Sequence, residues 1–229
     1  MKRKLHRGIY LFVLALLIAS NQTANAQTVA ITLNPQSSGN IVVGPNLFHV
    51  SENIYTEAEI GAAVFTSAAT AINHIDFNAV ALGSITTVDS FNIYLKEVPL
   101  SNVIFSNGIY DTAGYSLVFS GTLNASVIGW VGVNLTSSFI RISGNNLQLL
   151  IERKDNVTHG GFSFNAARGN STGATLTSSR RINSATRPLP GTTSLSTSNF
   201  RPQVQLRQDR KSTRLNSSHV VTSRMPSSA

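Results

Sequence analysis

Apolar residues recur at every second position in run after run of residues 27–208. A chain patterned with period two hides its apolar side by laying one sheet against another. Phe91, Ile93 and Leu95 alternate with Asn92, Tyr94 and Lys96, and Ile75, Phe77 and Ala79 alternate with His74, Asp76 and Asn78. Each run predicts a half-buried strand, and residues 83–90 between them suit a connection. Further strands are expected at Val29 to Leu33, Ile41 to Val43, Ser116 to Ser120, Trp130 to Leu135, Leu147 to Glu152, Gly161 to Asn165 and Val204 to Leu206. After Val131, Val133 and Leu135 the apolar character resumes past a Ser-Ser turn at Phe139 and Ile142. Gly144-Asn145-Asn146 then tolerates positive φ before Leu147, so a hairpin is expected there. Leu147, Leu149 and Ile151 should face the core, with Gln148, Leu150 and Glu152 on the opposite face.

One helical turn is expected at Thr56-Glu57-Ala58-Glu59, where a Thr and a Glu three apart fit a capping box, with Gly61 as the stop. Many short strands and a single turn of helix predict an all-β fold, an antiparallel β-sandwich of jelly-roll-like form from Gln27 to about Gln208. Its expected core includes Phe77, Phe91, Ile93, Leu95, Val131, Val133, Leu147, Leu149 and Ile151. Residues 166–199 mix Ser, Thr, Gly and Arg with Pro188 and Pro190, and are expected to form a long surface loop before the last strand.

The two ends read differently from the body. Met1 to Ala26 carries Lys2, Arg3, Lys4 and Arg7 ahead of the apolar run Ile9 to Ile18, then closes on Ala24-Asn25-Ala26. That layout predicts a signal peptide cut before Gln27, and hence a secreted or outer-membrane surface protein. The apolar run is shorter than the roughly 20 residues that cross a bilayer, so no membrane span is expected after cleavage. At the other end, DRKSTRLNSSH (209–219) resembles, codon for codon, the translation of a short-read sequencing adapter, and SRMPSSA (223–229) resembles the stretch beyond its sample index. Residues 209–229 are therefore read as an adapter-derived, disordered tail, and the chain as a fragment whose downstream domains are lost.

Charge follows from this division. The formal net charge is +8, of which the leader carries four positive charges and the tail a net three, leaving +1 for residues 27–208. Nucleic-acid binding thus loses its main support. There is no cysteine, which excludes disulfides, thiolate metal sites and thiol catalysis.

In order along the chain, IYTEAEIG (54–61), INHIDF (72–77), FNIYLKEV (91–98), LVFSGTL (117–123), GWVGVNLTSSFIRISGNNLQLLIE (129–152) and NFRPQVQL (199–206) resemble a β-sandwich module of secreted, multidomain surface proteins of Bacteroidota. Many such proteins are cargo of the type IX secretion system. The resemblance implies an exported, adhesin-like surface module.

Chemistry-bearing residues are few. Trp130, the only Trp, heads an inward-alternating strand and is expected in the core or at its rim, with sugar stacking as the alternative. Tyr94 points away from Phe91, Ile93 and Leu95 and is the exposed ligand-binding candidate. His74 and Asp76 share one strand face and could share a proton or hold a metal, a solvated polar face being the plainer alternative. Glu152, Asp155 and His159 surround a turn and are the candidate Ca²⁺ ligands, though without a Ca-loop spacing. No other cofactor is expected.

No nucleophile elbow, zinc-protease helix or phosphate loop occurs, and nothing in the sequence places two of Glu52, Glu57, Glu59, Asp89 and Asp111 at a working separation for glycoside hydrolysis. The expected function is a non-catalytic binding or structural module, with a surface glycan or protein as partner. The alternative is an accessory domain of a secreted hydrolase. Aromatics are 7% of the chain, so sugar binding is expected to be weak or nil.

Overall fold

The computed structural model describes residues 27–32, 35–39, 41–61, 69–142, 144–168 and 177–208. The leader and the adapter-like tail lie outside the described residues. In chain order the elements are β1 (Gln27–Ile31), β2 (Pro35–Gly39), β3 (Phe48–Tyr55), α1 (Glu57–Gly61), β4 (Ala69–Ala81), β5 (Thr87–Val98), β6 (Gly108–Ile109) and β7 (Ser116–Asn124). They continue with β8 (Gly129–Ile142), β9 (Asn146–Arg153), β10 (Ser163–Arg168), β11 (Ser179–Ser184), β12 (Ser194–Ser198), β13 (Phe200–Pro202) and β14 (Val204–Gln208).

The fold is an all-β, jelly-roll-like antiparallel sandwich. Its first sheet runs β1-β14-β4-β10-β13, with β2 on β10 and β8 on β4; its second runs β6-β12-β11-β3-β9-β5-β7. Period-two alternation sends one side chain in two between the sheets, where burying each large apolar side chain contributes about 1.5–3 kcal/mol. All nine expected core residues are in that layer. Phe77 of the first sheet meets Phe91 of the second edge to face, with ring centroids 6.2 Å apart.

Three expectations are corrected. β8 runs unbroken through Ser137 and Ser138, and it pairs with β4 while β9 pairs with β3 and β5. The glycine turn at Gly144, with φ of 96°, therefore carries the chain from one sheet to the other and makes no hairpin. Second, residues 41–43 form no strand; they lie buried in a bend, with β2 at 35–39 before them. Third, the expected loop 166–199 contains β11 and β12, which pair antiparallel with β3 and with each other. The register puts Ser179, Arg181, Asn183 and Ser198 on the inward side, with exposed Ser196 at the edge, so no apolar alternation betrayed them.

α1 forms where the capping pattern indicated. The Glu59 carboxylate accepts from the Thr56 N–H at 2.8 Å, but the Thr56 hydroxyl donates to that same carboxylate at 2.9 Å instead of capping a backbone N–H. Fully buried Arg201 fastens the turn to the sheet edge. Its guanidinium donates to Glu59 and to the Ile54 carbonyl and lies 4.6 Å from the centre of the Tyr55 ring.

Candidate functional site

β3 and β9 are the central strands of the second sheet, and every residue of both is buried. Leu147, Leu149 and Ile151 pack inward as expected, but the opposite side is covered too. There Val50, Leu150, Leu195 and Tyr110 form a small second core, with Tyr94, Tyr115 and Ile182 packed against it. Two carboxylates lie beneath. Glu152 accepts from the Tyr94 hydroxyl at 2.8 Å and the Tyr110 hydroxyl at 3.2 Å, and pairs with Lys154 Nζ at 2.5 Å. Glu52 stands diagonally across from it, since Val50 pairs with Glu152 and Glu52 with Leu150. Glu52 accepts from Tyr115 at 3.0 Å and is paired with Arg180, whose guanidinium sits 5.0 Å from the centre of the Phe105 ring.

This cluster sets two carboxylates on one sheet face. Burial, with the adjoining carboxylate adding to it, pushes the hydroxyls of Tyr94, Tyr110 and Tyr115 above the usual tyrosine range. They serve as neutral donors. The Glu152 and Glu52 side chains are 0% and 3% exposed. A general acid or base must come within hydrogen-bond reach of its substrate, and these two instead hold tyrosines and cations that clip residues 105–115 and 180 onto the sheet. Tyr94, expected exposed, is half-buried with its hydroxyl committed to Glu152.

Of the expected Ca²⁺ ligands, Asp155 and His159 are brought together as a pair, while Glu152 turns to other partners. Glu152 is occupied as described, while Asp155 pairs with Arg153 at 2.6 Å and with His159. Arg153 also donates to the carbonyls of Val43 at 2.6 Å, Val157 at 2.5 Å and Asn46. Asp155 is thus part of a knot that ties two loops to the end of β9. No group of three or more His, Asp or Glu suited to a metal occurs among the described residues.

The outward face of the first sheet is different. β4 lies between β8 and β14, and strand register sets three rows of side chains side by side. Trp130 is opposite Asn78, whose amide donates to Gln203 at 3.3 Å. Gly132 and Gln205 flank Asp76, and Asn134 and Arg207 flank His74. Asp76 anchors the group. One of its oxygens accepts from His74 Nε2 at 2.8 Å and the other from Arg207 Nε at 2.8 Å, with Arg207 Nη2 at 2.7 Å. His74 Nδ1 meets the Asn134 side-chain oxygen at 2.7 Å, so both ring nitrogens face oxygen acceptors. The hydrogen bond to Asp76, with lesser help from Asn134 and from the charge of Asp76, raises the His74 pKa against the effects of burial and Arg207.

Gly132 makes the close packing possible. A Cβ there would stand 2.1 Å from the Ile75 carbonyl oxygen and 2.7 Å from Asp76 Oδ1, so the Asp76 carboxylate fills the place a side chain would take. Asp76 is buried, while the Arg207 side chain is 40% exposed and Asn134 is exposed. Trp130 is half-buried on this outer side, its neighbour Val131 facing the core. The result is an indole on the same face as planar amide, carboxylate, imidazole and guanidinium groups, with Asp76 packed over Gly132. Trp130, His74 and Asp76 were legible as candidates from the sequence. Asn134, Gln205 and Arg207 were not, because only the pairing register puts them beside β4; the alternation of Gln205 and Arg207 with Val204 and Leu206 was the available signal.

No protein-family model and no curated protein matches the chain. Among solved structures, the fold is similar to that of the cysteine protease and lectin-like domains of Cwp84, a surface layer associated protein of Clostridium difficile. The identity is 11% over 71% of this chain and 32% of that chain, with a TM-score of 0.39. The likeness carries no argument about what this chain does, and the chain spans about a third of that protein's solved length. Among the described residues no helix is long and apolar enough to cross a membrane.

Proposed function

We propose that this chain is a non-catalytic binding module of an exported surface protein, and that its ligand is a surface glycan seated on the outer face of the first sheet. The observation that carries the reading is the row arrangement around Asp76, with Trp130 at one corner and Asn78, His74, Asn134, Gln205 and Arg207 around it. Sugars present an apolar ring face to an aromatic and a ring of hydroxyls to planar donors and acceptors, and this face offers both. A single aromatic ring gives weak binding, consistent with the low aromatic content of the chain.

The non-catalytic part of the proposal is supported by the commitment of Glu52 and Glu152 to buried partners. Export rests on the signal-peptide layout of Met1 to Ala26, and a Bacteroidota origin with type IX export on the order of strand motifs. A glycan array probed with the full chain tests the binding reading, with Trp130→Ala as control. The expected outcome is retention of a subset of glycans that the variant fails to retain. Turnover of any glycan, abolished by replacing one Glu or Asp, would overturn the non-catalytic reading.

A further inference from the structure

If the outer face of the first sheet is a glycan site, its chemistry narrows the ligand. We infer that it takes an acidic oligosaccharide built from uronic-acid units, with one ring stacked on Trp130 and a carboxylate held by Arg207. The inference rests on the glycan reading above.

Within the three rows Asp76 is the only carboxylate, and it is already shared by Arg207 and His74. Arg207 offsets the one buried carboxylate, His74 adds positive charge whenever it is protonated, and Asn78, Asn134, Gln203 and Gln205 are neutral, so the exposed side of the rows presents a guanidinium and no free carboxylate. Arg207 commits Nε and Nη2 to a single oxygen of Asp76, and its Nη1 has no partner among the described residues. A guanidinium held by one carboxylate from behind and exposed in front is positioned to receive a second, and planar Arg–carboxylate contacts are stronger than neutral hydrogen bonds. Asp76 cannot turn outward to repel such a ligand, because it is tied by His74 on one side and Arg207 on the other.

Dimensions then exclude a single sugar. From Trp130 on β8 to Arg207 on β14 the register spans four residues along the strands and two strand spacings across them. That is about 13 Å by about 10 Å at standard strand geometry. Only a chain of several rings reaches both ends. Between them Gly132 contributes no side chain to stand in the way of such a chain, and Asn78 and Gln205, beside it and Asp76, are hydroxyl partners.

Calorimetric titration of the full chain with four oligosaccharides tests this: an oligogalacturonate, the same chain methyl-esterified, a neutral cello-oligosaccharide and a sulfated oligosaccharide. The oligogalacturonate is expected to bind, and esterification to weaken it about 10-fold or more, the range for losing one charged hydrogen bond. Arg207→Gln should weaken the acidic ligand to a similar degree, Arg207→Lys less, and Trp130→Ala should remove binding altogether, with the thermal transition of each variant checking that it folds. Equal binding of the acid and ester forms, or binding of the neutral chain alone, lost in Trp130→Ala, would overturn the acidic ligand and leave the glycan site standing. Tighter binding of the sulfated chain would overturn the carboxylate assignment. Binding that survives in both the Trp130 and Arg207 variants would place it on the basic residues elsewhere in the chain and overturn the inference. Failure of all four ligands with a folded chain overturns it as well, and the array with Trp130→Ala then decides the glycan reading separately.

Discussion

The two outward faces of the sandwich hold carboxylates in contrasting ways. On the second sheet Glu52 and Glu152 lie under Tyr94, Tyr110 and Tyr115, and cations close the remaining positions. On the first sheet Asp76 is equally buried but its partners, His74 and Arg207, reach solvent, with side chains 19% and 40% exposed. The difference comes from what lies above each face. Tyr110, Tyr115 and Leu195 pack over the central strands of the second sheet and its polar groups become fasteners, whereas the partners of Asp76 still meet water and keep hydrogen-bonding capacity for a ligand. A buried, saturated carboxylate contributes to holding elements together, and a carboxylate under a partly exposed imidazole and guanidinium contributes to presenting them.

The largest expected effect separates the faces by stability. Glu152→Ala leaves Lys154 without its carboxylate and strips Tyr94 and Tyr110 of an acceptor, so a loss of about 3–5 kcal/mol is expected in urea unfolding, the range for breaking a buried pair. Asp76→Ala frees groups that water can reach and should cost about 1.5–3 kcal/mol, the range for charged hydrogen bonds. If the two variants lose equal stability, the contrast between the faces is wrong.

Two histidines, one buried between the sheets and one on the first sheet's outward face, set a parallel contrast through pH. His49 is wholly buried, and burial, reinforced by the charges of Arg153 and Arg181 against its bond to Asn183, lowers its pKa from 6.5 to about 4. Between those values the unfolded chain takes the proton first. Its contribution is therefore intact above pH 6.5 and lost as pH falls towards 4, at a total of about 3 kcal/mol. His74 has the opposite sign, because its raised pKa gives stability present below 6.5 and lost as pH rises through the folded value. Melting temperature against pH should thus fall on the acid side for the native chain, and the acid slope should shrink in His49→Gln. A slope unchanged by that substitution would remove His49 from the account.

What the sequence disclosed follows the same division. The shared core was legible because Phe77 and Ala79, Phe91, Ile93 and Leu95, Val131 and Val133, and Leu147 and Leu149 recur at every second position, the period of a strand. Sheet membership was not, since Gly144-Asn145-Asn146 suits a hairpin or a crossing between sheets equally well. β11 and β12 were invisible because their inward residues are Ser, Arg and Asn packed against the buried polar residues His49, Ser51 and Asn53. The same polar burial hid the role of Glu152, which looked like a cation ligand next to Asp155 until the register set it under Tyr94. On the first sheet His74, Asp76 and Trp130 could be picked out by alternation, while Arg207 needed the pairing of β14 with β4.

The smallest expected effect on stability is at Trp130, and it decides what the first face is for. Its ring stands on the outer side of β8 and is half-buried, so Trp130→Ala forfeits only part of a large side chain's burial, about 1 kcal/mol at about 25 cal/mol per Å² of apolar surface. A fully buried aromatic such as Phe91 should cost about 3–5 kcal/mol on the same change to Ala. Glycan retention should behave the other way round, vanishing in Trp130→Ala while the chain still melts cooperatively close to its native temperature. Urea unfolding of the two variants beside the glycan array checks both halves. Loss of several kcal/mol at Trp130 would make the ring a structural prop like Tyr110, and the two faces would then differ in cover but not in purpose.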